Sequence, residues 1–179
     1  MHGRASLILG LALLVAPCAL SAQRGGGGQG GDQGWPAPTA GFRVGYDDNS
    51  TGTVLGAQFR IAAHPSGFVE LVPNGDITFL TGLKEYQFGV DAVVVSGGRR
   101  GGFFAGGGVA WRNTIYQGAG RETRMAPVMV LGARSSAGAL APFGTQVEVR
   151  WTYPEGVFKP RALTLGVNFP LGGRSDRRR

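Results

Sequence analysis

Two runs near the end of the chain, residues 146–153 and 161–171, alternate between apolar and polar side chains, and this period of two constrains the fold most strongly. Side chains of an extended strand point alternately to its two faces, so each run has one apolar and one polar face. In the first run the apolar face carries Val147, Val149, Trp151 and Tyr153, and the polar face carries Gln146, Glu148, Arg150 and Thr152. Such a pattern is typical of a barrel with lipid outside and polar side chains inside.

The N-terminus predicts export. Residues 1–22 have the layout of a cleaved signal peptide, with Arg4 at the positive start, a short apolar core and small residues before the cut. Cleavage after Ala22 is the preferred site, and cleavage after Ser21 is the alternative. Cys18 lies before both sites and follows a proline, which disfavours a lipoprotein signal. We therefore expect a mature chain without cysteine, disulfide or thiolate metal site.

The remaining chain divides into a leader, one domain and a tail. Residues 23–40 are rich in Gly and Pro and predict a flexible leader, and residues 172–179 form a basic tail. Between them no helical period is sustained, and strand-like runs alternate with turn clusters. The predicted strands are 42–47, 53–62, 67–79, 85–96, 102–113, 122–135, 141–153 and 159–171. Eight is the smallest strand number found in single-chain outer-membrane barrels.

Two of these runs contain a proline that leaves their pairing open. Pro127 lies inside the sixth run and predicts a bulge or a split, because proline donates no hydrogen bond to a ladder. Pro73-Asn74-Gly75-Asp76 interrupts the third run. A hairpin turn at that place would change the strand count.

The turns and the aromatic residues predict an orientation. Short turns with small residues occur at 63–66, 97–101 and 136–140, and longer or more charged connections occur at 47–51, 80–84, 114–121 and 154–157. Outer-membrane barrels have short periplasmic turns and longer outer loops, so the first strand is expected to run outward. Two aromatic girdles then follow, with Tyr46, Tyr86, Trp111, Trp151 and Tyr153 near the outer side and Phe42 and Phe169 near the periplasmic side. The same residues would be core aromatics in a soluble barrel.

On these features the chain resembles the small outer-membrane β-barrel superfamily, the OmpA/OmpX-type and opacity-like porin-family domains. The resemblance covers residues 41–171 and is carried by the strand alternation, the run 148–153 and the closing run 163–171. It implies an all-β fold, a single antiparallel up-and-down transmembrane barrel of about eight strands in the outer membrane of a Gram-negative cell. It also implies contact with outer-membrane lipid, lipopolysaccharide and the outer-membrane assembly machinery. Such proteins often end on an aromatic residue, whereas here a tail follows Phe169.

The polar strand faces predict the contents of the barrel. An eight-stranded barrel is just wide enough for side chains to fill it, so opposite charges are expected to pair inside and plug the lumen. A narrow polar conduit or a ligand pocket is the alternative. The residues with inward parity are Arg43, Gln58, Arg60, Glu70, Asp91, Arg112, Arg124, Glu148 and Arg150.

Charge and chemistry exclude several functions. The net charge of +7 lies partly in the C-terminal arginines and comes without a basic helix or an RNA-binding motif, so no nucleic-acid partner is expected. Anionic lipid headgroups are the expected use of the charge. His64 is the only histidine beyond the signal, and with Ser66 it superficially offers the base and nucleophile of lipid-modifying barrel enzymes. Its predicted periplasmic turn is remote from the outer leaflet, so we expect no catalytic residue, no metal site and no cofactor.

The sequence therefore predicts a monomeric outer-membrane protein with a structural or surface-interaction role, not an enzyme. The main alternative is a soluble exported barrel of lipocalin-like type, in which Val147, Val149 and Trp151 would line a cavity for an apolar ligand. A third possibility is a lipid-modifying outer-membrane enzyme that uses His64.

Overall fold

Eight strands close into one antiparallel barrel in the computed structural model, which describes residues 35–48, 51–81, 83–116, 120–137, 141–153 and 161–171. Consecutive strands pair, and β1 is hydrogen-bonded to both β2 and β8. The strands are β1 (Thr39–Asp47), β2 (Gly52–Ala62), β3 (Val69–Leu80), β4 (Leu83–Val95), β5 (Gly101–Tyr116), β6 (Gly120–Ser135), β7 (Gly144–Thr152) and β8 (Arg161–Pro170). The predicted all-β, up-and-down barrel of eight strands is confirmed. The predicted signal peptide, most of the leader and the basic tail lie outside the described residues.

The strands differ from the predicted runs at their ends. β1 begins at Thr39, inside the predicted leader, and this residue pairs with Arg60 on one side and Pro170 on the other. β5 and β6 have 16 residues each and continue into the segment 114–121, which was expected to be a loop. The long β5–β6 hairpin therefore extends past β7, whose pairing with β6 ends at Val128↔Thr152, whereas β4 accompanies β5 up to Leu83↔Tyr116.

The connections lie at two ends of the barrel. The terminal end carries the first residue of β1, the last residue of β8 and the connections 63–68, 96–100 and 136–143. The loop end carries the connections 48–51, 81–82, 117–119 and 153–160. Connections at the terminal end are not shorter than those at the loop end, so the predicted asymmetry of short turns and long loops is wrong. The extra length lies in the β5–β6 hairpin instead.

Pro127 causes neither a bulge nor a split, and that prediction is wrong. β6 keeps a single register with β5 from one end of the ladder to the other. The carbonyl oxygen of Pro127 accepts a hydrogen bond of 2.9 Å from the backbone N–H of Tyr153. The missing N–H of the proline therefore faces the point just beyond Thr152, where β7 ends, so the proline does not interrupt a longer ladder.

Pro73 likewise lies within a continuous strand, and no hairpin forms at residues 73–76. The pairing of β2 with β3 is interrupted between Gln58↔Asn74 and Ile61↔Leu71, next to the proline, and resumes in the same register. Pairing of β3 with β4 runs through Pro73 without a break. Asn74 and Asp76 consequently point into the barrel and are buried.

The barrel is apolar outside and mostly polar inside. Large apolar side chains are exposed on the outer face, among them Phe42 at 64%, Trp111 at 58% and Met125 at 71%. An apolar cluster also fills part of the interior beside β4, β5 and β6, and the sequence pattern did not predict it because residues 92–95 show no alternation. This inner cluster consists of Val72, Val93, Val95, Phe104, Ala110, Val128 and Val130.

Candidate functional site

Arg43 in β1 is the first hub of a buried ionic network inside the barrel. Its Nε and Nη2 donate to the two carboxylate oxygens of Asp76 in β3 at 2.8 and 2.6 Å, which makes a bidentate pair. Its Nη1 donates to Glu148 Oε1 in β7 at 3.1 Å. The side chains of Arg43, Asp76 and Glu148 are 1%, 7% and 2% exposed, so these charges are removed from water.

Arg150 in β7 is the second hub, and it closes a ring of hydrogen bonds with the first. Its Nη2 donates to Asp91 Oδ2 at 2.6 Å and its Nε donates to Glu148 Oε1 at 3.2 Å. Asn74 Nδ2 donates to Asp91 Oδ2 at 2.9 Å, and Asn74 Oδ1 accepts from Arg43 Nη2 at 3.2 Å. The ring joins β1, β3, β4 and β7 across the interior, so each member is held by at least two others.

An amide cluster extends the network toward the terminal end. Gln58 Nε2 donates to Gln146 Oε1 at 2.7 Å and to Asn168 Oδ1 at 2.8 Å. Asn168 Nδ2 also donates to Gln146 Oε1, at 3.0 Å. These three amides link β2, β7 and β8 beside the seam where the barrel closes.

Arg60, Glu70 and Arg134 form the last layer at the terminal end. Arg60 Nε donates to Glu70 Oε2 at 2.9 Å, and Arg134 Nη2 donates to the other oxygen of the same carboxylate. The Arg60 guanidinium also lies 4.7 Å from the centroid of the Phe104 ring, a cation–π contact that joins the polar and apolar parts of the interior. At the loop end, Arg112 forms an ion pair with Glu85.

Two inward-facing glycines make room for the network. A Cβ atom at Gly56 would lie 1.9 Å from Oδ1 of Asp76 and 3.0 Å from Nε of Arg43. A Cβ atom at Gly108 would lie 2.1 Å from the backbone oxygen of Val90 and 2.6 Å from Oδ1 of Asp91. The space that a side chain would take at these two positions is already filled by the ion pairs.

Most of the predicted interior residues lie in this network, and Arg124 is the exception. Arg43, Gln58, Arg60, Glu70, Asp91, Arg112, Glu148 and Arg150 are buried inside the barrel. The side chain of Arg124 is 50% exposed and forms an ion pair with Glu122, so its inclusion in the interior cluster is corrected. Arg124 has inward parity, but it lies past the point where the pairing of β6 with β7 ends, at Val128↔Thr152, so within the described residues no β7 partner lies beside it.

Several network members were missed in the sequence. Asn74 and Asp76 were not predicted because they belong to a Pro-Asn-Gly-Asp motif that favours a turn. Gln146 and Asn168 were on the polar faces of their runs, and strict use of parity would have included them. Arg134 and Glu85 have the same inward parity near the ends of their strands, where the sequence does not reveal whether a neighbouring strand covers them.

The predicted girdle aromatics lie on the outer face. Tyr46, Tyr86, Trp111 and Trp151 are at outward positions in the loop-end halves of their strands, and Tyr153 follows the last residue of β7. Phe42 and Phe169 are exposed in the terminal-end halves of β1 and β8. Among the described residues six further exposed aromatics were not predicted as girdle members, namely Trp35, Phe59, Phe68, Phe79, Phe88 and Phe103.

His64 and Ser66 lie in an exposed connection at the terminal end. His64 Nδ1 lies 2.6 Å from Ser66 Oγ and accepts a hydrogen bond of 3.2 Å from the Ser66 backbone N–H. This is a local turn in which a side chain caps the neighbouring backbone. Across the described ranges, no group of His, Cys, Asp and Glu side chains is placed to hold a metal ion. No helix within those ranges is long and apolar enough to cross a membrane.

Comparison with solved structures supports the same fold. The chain is similar to the N-terminal β-barrel domain of Pseudomonas aeruginosa OprF, with a TM-score of 0.60 and 16% sequence identity over 76% of this chain and 99% of that domain. It is also similar to Neisserial surface protein A (NspA), with a TM-score of 0.55 and 11% identity over 74% of this chain and 94% of that one. No family model and no curated protein sequence matches the chain. The chain has the fold of the small outer-membrane β-barrels, as the sequence resemblance implied.

Proposed function

We propose that this chain is an integral outer-membrane protein with a structural or surface-interaction role, and that buried side chains close its lumen. The observation that carries the proposal is the inverted distribution of polarity, with charges buried inside and large apolar side chains exposed outside. Burying one such side chain stabilises by about 1.5–3 kcal/mol. A band that includes Val90, Trp111, Met125 and Leu131 around a closed barrel would therefore be strongly unfavourable in water, and lipid removes that penalty.

The distribution of charge argues against the lipocalin-like alternative. In that alternative Val147, Val149 and Trp151 would line a cavity, whereas their neighbours Glu148 and Arg150 would face water. Glu148 and Arg150 have side-chain exposures of only 2% and 4%, and both are tied into the interior network. An apolar ligand would have to displace ion pairs from that space.

The network supports a closed lumen. Its four central cations, Arg43, Arg60, Arg134 and Arg150, are matched by four carboxylates, those of Glu70, Asp76, Asp91 and Glu148. Breaking a buried ion pair by removing one partner typically costs 3–5 kcal/mol. A solute that passed through the barrel would have to break several pairs together, so we propose that the protein does not act as a general diffusion pore.

The surface at the loop end supports a role at the lipid headgroups. Ile115 in β5 is paired with Lys84 on one side and Arg121 on the other, so two cations flank an apolar side chain on the outer face. Tyr86 lies on the same face of β4. Cations above an aromatic girdle suit the phosphates of lipopolysaccharide or other anionic lipids. We propose that the loop end faces outward and that the leader and tail are periplasmic.

The last strand offers a recognition element for assembly. Phe169 is 42% exposed on the outer face of β8, and its ring contacts Phe143 with a centroid distance of 6.0 Å. We propose that Phe169 serves the assembly machinery as an internal version of the terminal aromatic signal. The barrel is proposed to work as a monomer, because its ladder is closed and leaves no strand edge for a second copy.

Fractionation of a Gram-negative host that expresses the full chain tests the location. We expect the protein in the outer membrane, with a heat-dependent change of mobility on a denaturing gel. Recovery in the soluble periplasm without that change would contradict the proposal.

Planar bilayer recordings test the closed lumen, since the network predicts no stable conductance steps of porin size. Regular open steps from the pure protein would show that the lumen conducts.

A further inference from the structure

A cavity of about 270 Å³ opens at the terminal end of the barrel, below the amide cluster. Its polar wall includes Arg60, Glu70, Arg134 and Asn168. Much of the remaining lining comes from small or apolar residues such as Ala62 and Ala137. The cavity therefore joins an open mouth to charged groups at its base.

The charges in this wall are not balanced. Arg60 and Arg134 share the single carboxylate of Glu70, with one guanidinium bound to each of its oxygens. In the ring above, Arg43 and Arg150 contact three carboxylates between them. The terminal layer thus carries one more positive charge than negative charge, in a place where charges are poorly solvated.

Both arginines also have a buried N–H donor that is not hydrogen-bonded. Within the described part of the chain, Arg60 Nη2 and Arg134 Nε are buried and have no acceptor. The hydroxyl group of Thr39, which also lines the cavity, is buried and without a hydrogen-bond partner as well. Unsatisfied buried donors are costly, and three of them around one cavity indicate that an acceptor is expected there.

We propose that this cavity is a binding site for a small oxyanion, a carboxylate or a phosphate group, held by Arg134 and Arg60. A bound oxyanion offsets the local excess of positive charge in this layer and accepts from guanidinium N–H groups, for which carboxylate and phosphate have matching geometry. The side chain of Arg134 is 10% exposed and that of Arg60 is 2% exposed, so a ligand that enters from the mouth meets Arg134 first. Binding requires that each guanidinium turns its spare N–H toward the ligand.

The volume restricts the ligand to a small group. One water molecule occupies about 30 Å³ in the liquid, so the cavity of about 270 Å³ holds roughly nine such volumes. That is enough for a phosphate ion or a small carboxylic acid, and it lies just below the range of about 300–1,000 Å³ that is usual for drug-sized ligands. Inorganic phosphate and acetate are therefore the appropriate probes. They represent the two sources of the same chemistry and distinguish a phosphate site from a carboxylate site.

The test is a titration of the protein, folded in detergent micelles, with phosphate or acetate against chloride at equal ionic strength. Binding is measured by calorimetry and by the shift of the thermal unfolding temperature. We expect saturable binding of at least one probe, and at least a tenfold loss of affinity in Arg134→Gln. Arg124→Gln, which removes an exposed arginine at the opposite end, is the matched control and should bind as the wild type does.

Two further variants separate loss of the site from loss of the fold. Glu70→Gln removes the competing carboxylate, so it should bind the anion more tightly even if its fold is less stable. Ala137→Glu adds a negative charge at the exposed lip without touching either arginine, and it should weaken binding. Phosphate also stabilises proteins by exclusion from their surface, but that effect is the same in every variant. Equal responses of wild type, Arg134→Gln and Ala137→Glu, or no binding of either probe, would overturn the proposal.

Discussion

Replacing Arg150 by methionine removes a central cation and should destabilise the barrel strongly. Arg150 contacts Asp91 at 2.6 Å, and the two side chains are 4% and 1% exposed. Opposite charges about 4 Å apart attract by about 4 kcal/mol at an effective dielectric constant of about 20. After the replacement Asp91 keeps the 2.9 Å hydrogen bond from Asn74 but loses the cation that compensates its buried charge. We expect the free energy of unfolding to fall by about 3–5 kcal/mol.

A double-mutant cycle separates this ionic effect from the loss of packing. Asp91→Asn keeps the shape of the carboxylate and removes its charge, so alone it leaves Arg150 under-compensated. The double variant Arg150→Met/Asp91→Asn restores the charge balance, because Glu148 still binds Arg43 at 3.1 Å. The double variant should therefore lose less stability than the two single variants together, by at least about 2 kcal/mol.

Urea titration of the protein in lipid vesicles, followed by tryptophan fluorescence, measures these free energies. Arg124→Met is the control, because its side chain is 50% exposed and its replacement should change stability by less than about 1 kcal/mol. A loss of unfolding free energy in Arg150→Met as small as that in Arg124→Met would refute the ionic contribution. It is also refuted if the two single effects add within about 0.5 kcal/mol.

Three further predictions address the outer face, the glycines and the turn histidine. Val90→Arg, in the middle of β4, should lower vesicle stability by about 2–4 kcal/mol, whereas Phe79→Arg near the loop end should lower it by about 0–1 kcal/mol; equal effects would contradict a lipid-facing surface. Gly56→Ala should lower the stability by about 1–3 kcal/mol by displacing Asp76 and Arg43, whereas a Cβ at Gly75 first meets the edge of the exposed Phe88 ring, at 3.2 Å, so Gly75→Ala should be tolerated. Cells that express the wild type and cells that express His64→Ala should give the same lipid A mass spectrum, and a difference between them would support the enzyme hypothesis.

Alternation was enough to predict the fold because both faces of most strands are specified. In β7 every inward position carries a small or polar side chain and every outward position from 147 to 151 is apolar. A shift of one residue would therefore turn the apolar side chains inward and the polar side chains outward. The same rule predicted from the sequence that Arg43, Asp91 and Glu148 face the interior of the barrel. Pairing partners were not predictable in this way, since parity gives the face of a residue and not its height in the barrel.

The sequence failed where local signals and tertiary context disagree. The Pro-Asn-Gly-Asp motif at 73–76 favours a turn, but pairing with β4 along the whole segment holds it extended. The polar residues at 114–121 suggested a loop, but their pairing extends the β5–β6 hairpin. Arg124 followed the inward parity and is nevertheless exposed, because coverage depends on where the neighbouring strand ends.

Quenching of tryptophan fluorescence by brominated lipid tests the central claim most directly. A Trp35→Phe variant leaves Trp111 and Trp151, both on the outer face of the barrel, as the remaining tryptophans. In vesicles whose acyl chains carry bromine, their emission should be strongly quenched, whereas iodide in the aqueous phase should have little effect. Emission that iodide quenches and brominated lipid leaves unchanged would mean that this face contacts water, and the account of an outer-membrane barrel would be wrong.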